Sequence, residues 1–307
     1  MFVIFTRSSV IYKRKFLRNK LLFLSFVSFP LSGISALIIN SDTSFWKPVT
    51  FSTTNTVDYA NDQTGAKVGD IVGDAKNSAF YTKFDNVGTP SLTDGALAFR
   101  VRLAESKNYK KMEYSDNVFV GIDANNDHVV DLFVGANNSP SGKDKLGIWY
   151  PGTGANTGPS TTTISSKPIM TFDEVIGVTY DFSKVVGMDT VATSFDLDGG
   201  GKPDVFISFS FDFTYIVKAL ADKGITINEI SPHLSYVLAT ATQDNALNID
   251  IAGIKAGTSS SLTFAELGAW STPLTATGTA PEPAVVSLLG AGCLTLLARR
   301  RLTEKRP

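Results

Sequence analysis

The stretch Leu97-Ala98-Phe99-Arg100-Val101-Arg102-Leu103 alternates without a break, with Leu97, Phe99, Val101 and Leu103 on one side and Ala98, Arg100 and Arg102 on the other. Successive side chains of a strand point to opposite faces, so this period-two run predicts a strand with one face in a core and one in water. Working outward, residues 117–122, 129–135, 205–211 and 236–242 are further strand-like runs. Residues 146–150 read as one strand among long Gly-, Ser-, Thr-, Pro- and Asn-rich loops at 137–168. Turn residues separate the runs at short intervals, which predicts a mainly β protein built as a β-sandwich. One helix is expected at 214–223, where Ile216, Val217 and Leu220 share a face and Gly224 follows as a left-handed cap. Residues 173–176 are expected to form a short helical turn.

Both ends of the chain differ from this body. The first 36 residues hold Arg7, Lys13, Arg14, Lys15, Arg18 and Lys20 and no acid, then an apolar stretch opening at Leu21, then small residues at Gly33, Ser35 and Ala36. That is the layout of a secretory signal peptide with an apolar helix, cleaved after Ser35 or Ala36. The alternative is an N-terminal membrane anchor. At the other end, Pro281-Glu282-Pro283 precedes an apolar run at 284–298, and Arg299, Arg300 and Arg301 follow it. As a helix the run reaches about 22 Å, short of the ~30 Å hydrocarbon core. Such a length suits a transient anchor better than a permanent span. The alternative is a buried C-terminal helix with a solvated basic tail. This tripeptide, span and arginine cluster resemble the PEP-CTERM sorting signal of Gram-negative bacteria. The resemblance implies processing by an exosortase-type membrane enzyme after export by the general secretion machinery. The expected organisation is a signal peptide at 1–36, a body at 37–270, a flexible linker at 271–280 and a sorting signal at 281–307.

Setting the ends aside changes the charge. Residues 37–280 hold 17 basic and 27 acidic side chains, a formal charge of −10, although the whole chain reads −1. An acidic body does not suit nucleic acid, but it does suit an exported protein that meets divalent cations. The single cysteine, Cys293, lies in the C-terminal apolar run, so the body has no disulfide and no thiolate metal site. At 244 residues the body is long enough for one large core or two small ones.

Two acidic loops are candidate calcium sites. The first, Asp123-Ala124-Asn125-Asn126-Asp127-His128-Val129-Val130-Asp131, offers side-chain oxygens from Asp123, Asn125, Asp127 and Asp131 and the main-chain carbonyl of Val129. Calcium takes six to eight oxygens, and alternate positions of a tight loop can converge on one point. His128 stands where glycine is usual, and Val134 stands where an EF-hand has its bidentate glutamate. The second loop carries Asp196, Asp198 and Asp204, but Gly200 replaces one carboxylate and Lys202 adds a cation. For both, the alternative is a hairpin turn that uses Asp and Asn for its own backbone hydrogen bonds. The first loop resembles the short calcium loops of bacterial surface β-domains.

Ala79-Phe80-Tyr81, Phe84-Asp85-Asn86, residues 97–103, Val120-Gly121-Ile122-Asp123-Ala124-Asn125, Asp131-Leu132-Phe133-Val134-Gly135, residues 156–163, Ala239-Thr240-Ala241-Thr242-Gln243 and Leu247-Asn248-Ile249-Asp250-Ile251 follow in an order that resembles one group of secreted, PEP-CTERM-tagged proteins. The Arg-bearing strand followed by the Gly121–Asp127 loop is also similar to family 9 carbohydrate-binding modules and DOMON-like domains. That resemblance implies a jelly-roll-like or DOMON-like sandwich with a glycan face, and it transfers no binding residue. Trp149, Tyr150 and Trp270 are the candidate aromatic platform for extracellular polysaccharide, with core or edge packing as the alternative. The body holds two histidines, His128 and His233, and no Gly-x-Ser-x-Gly, His-Glu-x-x-His or phosphate-loop motif. The reading that follows is an exported, calcium-assisted structural or glycan-binding protein rather than an enzyme. The alternative is a polysaccharide-active enzyme using paired carboxylates.

Overall fold

The computed structural model describes residues 39, 46–51, 57–85, 95–139, 145–185, 195–227, 233–255 and 258–275. The expected signal peptide at 1–36, the expected sorting signal at 281–307 with its apolar run, and residues 276–280 of the expected linker lie outside the described residues. Among the described residues no helix is long and apolar enough to cross a membrane.

The protein is mainly β. In chain order the strands are β1 (Lys47–Pro48), β2 (Phe80–Asp85), β3 (Ala96–Leu103), β4 (Asn117–Asp123), β5 (Leu132–Asn137), β6 (Lys145–Trp149), β7 (Met170–Asp173), β8 (Tyr180–Lys184), β9 (Val205–Asp212), β10 (His233–Ala241), β11 (Asp250–Ile251) and β12 (Leu274–Thr275). They form two antiparallel sheets. The first runs β1-β2-β3-β9-β8, and the second runs β11-β10-β4-β5-β6-β7 with β12 also paired to β10. The chain passes from the first sheet to the second between β3 and β4 and returns between β7 and β8.

One core is shared by both sheets. Leu97, Phe99, Val101 and Leu103 of β3 enter it as their period predicts, together with Val118, Val120 and Ile122 of β4 and Leu234, Tyr236 and Leu238 of β10. Phe99 sits at its centre. Its ring lies 5.9 Å from Phe80, 5.8 Å from Phe209 and, across to the second sheet, 5.4 Å from Tyr236.

The other face of β3 is not in water. Arg100 is 1% exposed and Arg102 is 3% exposed. The Arg100 guanidinium lies 4.3 Å from the Trp46 ring centre and donates through Nε to Ser208 Oγ. Arg102 donates to Asp204 at 3.3 Å and lies over Phe206. A guanidinium is weakly hydrated and stacks on aromatic faces, which lets the alternating pattern run through a strand buried on both sides. The expected half-buried strand is therefore corrected to a fully buried one.

The second sheet is likewise covered outside. Phe119, Phe133, Trp149, Val237, Ile251, Phe264 and Trp270 form a further apolar cluster there. Gly147 makes room for it, since a Cβ at that position would stand 2.3 Å from the Trp149 ring.

The expected helix is α1 (Phe213–Ala221), where the Asp212 side chain accepts from the Thr214 N–H and Gly224 adopts φ +78°. A second, one-turn helix, α2 (Phe264–Leu267), is closed by a Thr263–Glu266 capping box that the sequence reading passed over. Residues 173–176 do not form a helical turn: Asp173 ends β7, and the Gly177 N–H donates to Tyr180 O in the turn before β8. Strand β5 starts at Leu132 rather than at 129, because Val129 and Val130 complete the preceding loop. The described part of the linker is paired, with Ser271 bridging Phe51 and β12 lying on His233 and Leu234.

Candidate metal centres

The loop from Asp123 to Asp131 joins β4 to β5, whose last register pair is Ile122 with Leu132. Asp123 is fully buried, and its carboxylate accepts the N–H groups of Asn125 (3.2 Å), Asn126 (2.6 Å) and His128 (2.9 Å). Asp127 accepts from Val129 N–H and from the Asn125 amide, Asn125 accepts from Asp127 N–H, and Asp131 accepts from Ala124 N–H. Asn126 and His128 adopt φ of 60° and 64°, the left-handed region that each tolerates better than most residues. Burial raises Asp123 from its ordinary value and raises Asp131 to about 6, with backbone N–H groups opposing both shifts. The three carboxylates Asp123, Asp127 and Asp131 do not gather into one metal-sized group. The loop as folded satisfies itself through its own backbone.

In the second loop, Asp196, Asp198 and Asp204 each bring one carboxylate oxygen within 4.8 Å of the others. Those carboxylates are well occupied. Asp196 accepts from Gly200 and Gly201 N–H, Asp198 from Gly200 N–H and Lys67 Nζ (2.6 Å), and Asp204 from Leu197 N–H and Arg102. Burial pushes Asp198 up, but Lys67 and the Gly200 N–H outweigh it and leave the carboxyl below its usual range. Burial raises Asp204 to about 6 against the pull of Arg102. Lys67 and Arg102 thus bring counter-charge to Asp198 and Asp204 from outside the loop.

A second convergence was not anticipated. Asp62, Asp70 and Asp250 also bring one carboxylate oxygen each within 4.8 Å of one another. Asp62, Asp70 and their neighbours Asp58 and Gln63 belong to the segment between β1 and β2, whereas Asp250 opens β11. No short motif marks the group, because Ile71, whose N–H donates to Asp250, is 179 residues from it in the chain. The only trace in the sequence is a scatter of Asp58, Asp62 and Asp70 in a segment without a strand pattern.

The aromatic platform is corrected. Trp149 is 2% exposed and Trp270 is 5% exposed, and both pack in the outer apolar cluster with Phe119 and Phe264. Tyr150 is half-buried, donates to Ala219 O at 3.2 Å and lies beneath Lys223. These rings are packing elements, and they present no joint face to a sugar.

A cavity of about 530 Å³ opens where the chain passes between the sheets. Lys107, Lys111, Tyr114, Asn138, Glu174 and Tyr180 are among the residues that line it. The Asn138 amide donates to both Glu174 oxygens, at 3.0 and 3.2 Å, and Ile176 stands 80% exposed at the rim. Comparison of the chain with protein-family models, with curated proteins and with solved structures finds no match in any of the three.

Proposed function

We propose that this chain is an exported β-sandwich of the cell surface or extracellular matrix with a structural and glycan-binding role. Export rests on the leader and the sorting signal. The binding role is carried by the 530 Å³ cavity, whose lining mixes cationic, carboxylate, amide and aromatic side chains. Such a mixture offers donors and acceptors to the hydroxyl groups of a sugar. On this reading the cavity takes over the place first given to Trp149, Tyr150 and Trp270. A glycan array on the full-length protein should show saturable binding without products. Asn138→Ala and Glu174→Ala should each weaken that binding with little change in melting temperature. Turnover of a glycan would favour the paired-carboxylate enzyme instead.

The C-terminal signal is proposed as a processing address for an exosortase-type enzyme. Mass spectrometry of the protein isolated from its native surface is expected to find a terminus near Pro281. Recovery of Arg299, Arg300 and Arg301 on the mature protein would sink this part of the reading.

A further inference from the structure

The segment between β1 and β2 folds over the edges of both sheets. Ile71 bridges Leu103 of β3, and the Ala104 N–H donates to Asp70 O, which ties the segment to the first sheet. Toward the second sheet, Thr240 Oγ1 donates to Gly69 O, Thr64 N–H donates to Ile249 O, and Ile71 N–H donates to Asp250 Oδ2 at 2.7 Å. Gly69 permits this approach, since a Cβ there would stand 2.7 Å from the Ile249 side chain.

Carboxylates collect at this junction, and one oxygen each of Asp58 and Asp70 lacks a donor. Asp58 is 3% exposed, Asp70 is 0% exposed and Asp250 is 1% exposed. Asp58 Oδ1 accepts from Gly253 N–H and Asp70 Oδ2 from Asn61 N–H. The second oxygen of each, Asp58 Oδ2 and Asp70 Oδ1, is buried with no hydrogen-bond partner, and so is Gln63 Oε1. None of the ion pairs between described residues involves Asp58, Asp70 or Asp250. The Lys67 ammonium, whose charge reaches Asp70, is bound to Asp198 at 2.6 Å. A buried carboxylate oxygen without a hydrogen-bond donor is costly, and this junction holds two of them beside two further acids.

We propose that Asp62, Asp70 and Asp250, with the Asp58 carboxylate beside them, form a calcium site that staples the first sheet to the second. Calcium–oxygen distances of 2.3–2.6 Å allow ligand oxygens to lie up to about 5 Å apart across one ion, which accommodates the 4.8 Å spread of the three carboxylates. An all-oxygen set with no thiol or imidazole selects a hard cation. The burial of the group favours calcium over magnesium, which gives up its water reluctantly. The electrostatics agree. Burial first, then the neighbouring carboxylates, holds Asp58 and Asp250 well above their ordinary values, and burial raises Asp70 to about 7. A divalent cation relieves both causes at once.

The test uses the full-length protein, stripped with chelator and then given calcium or magnesium chloride. Metal analysis after dialysis should find bound calcium, and calcium at tenfold above its dissociation constant should raise the melting temperature by about 3–6 °C. Magnesium should raise it less. Asp70→Asn and Asp250→Asn should abolish the calcium-dependent rise, whereas Asp123→Ala and Asp196→Asn should keep it. If the two buried variants fail to fold, Asp62→Asn at the half-buried edge of the group decides. It should weaken calcium binding by roughly tenfold or more, because affinity follows the charge of the ligands. Wild-type protein that loads no calcium would falsify the proposal. Loading that survives Asp62→Asn but is lost in Asp123→Ala or Asp196→Asn would overturn it too, and would assign the ion to one of the other loops.

Discussion

Asp204→Ala is expected to cost about 3–5 kcal/mol of unfolding free energy. The reason is what it leaves behind. Arg102 stays charged at any ordinary pH, with its side chain 4% exposed and its Nε already without a partner. Its guanidinium also lies over the Phe206 and Phe195 rings, which do not replace a carboxylate, and the nearby Asp74 accepts from the Lys76 and Asn77 N–H groups. Arg102→Met should cost less, because it keeps the packing of the stem and leaves an acid that can hold a proton. Burial already raises Asp204 to about 6. The double variant Arg102→Met with Asp204→Leu should recover most of the loss, since apolar side chains of similar volume often replace a buried pair without penalty. Urea denaturation of the four proteins compares the losses. Equal losses in Asp204→Ala and in the double variant would show that the stranded charge is not the cause.

Phe99→Ala is expected to be as damaging, at about 3–5 kcal/mol. Phe99 is fully buried and touches Phe80 and Phe209 of its own sheet and Tyr236 of the other. Removing the ring opens a cavity at the contact between the sheets, where backbone paired in both directions cannot collapse to fill it. Ile176→Ala, at a position 80% exposed, is the control and should stay within about 0.5 kcal/mol. Similar midpoints for the two variants in denaturant would mean that the two sheets do not depend on this contact.

The residues that carry the fold were largely legible. Period two at 97–103, together with the runs near 117–122, 205–211 and 236–242, corresponds to β3, β4, β9 and β10. These strands are long enough for alternation or apolar composition to stand out. The helix was legible because a face of Ile216 and Leu220 precedes Gly224. Strands β2, β7 and β8 were missed as strands because Phe80–Asp85, Met170–Asp173 and Tyr180–Lys184 are short and mix polar with apolar residues. They pair through backbone groups, and backbone leaves no trace in composition.

What the sequence alone determined is local: where the chain alternates, where it turns, that the body is acidic and free of thiols, and that its ends resemble export and sorting signals. Tertiary structure decided what covers each face and which acids meet. Arg100 and Arg102 read as solvent-facing, yet Trp46 and Phe206 cover them. Trp149 and Trp270 read as a platform, yet the outer cluster encloses them. Asp123, Asn125, Asp127 and Asp131 have a metal-like spacing, but close spacing also lets each carboxylate reach its own loop's N–H groups, and those are the bonds formed. Asp62, Asp70 and Asp250 have no shared spacing at all. Only the segment folded across the two sheets brings them together, and a contact made across so long a stretch of chain is set by packing, which no local pattern encodes.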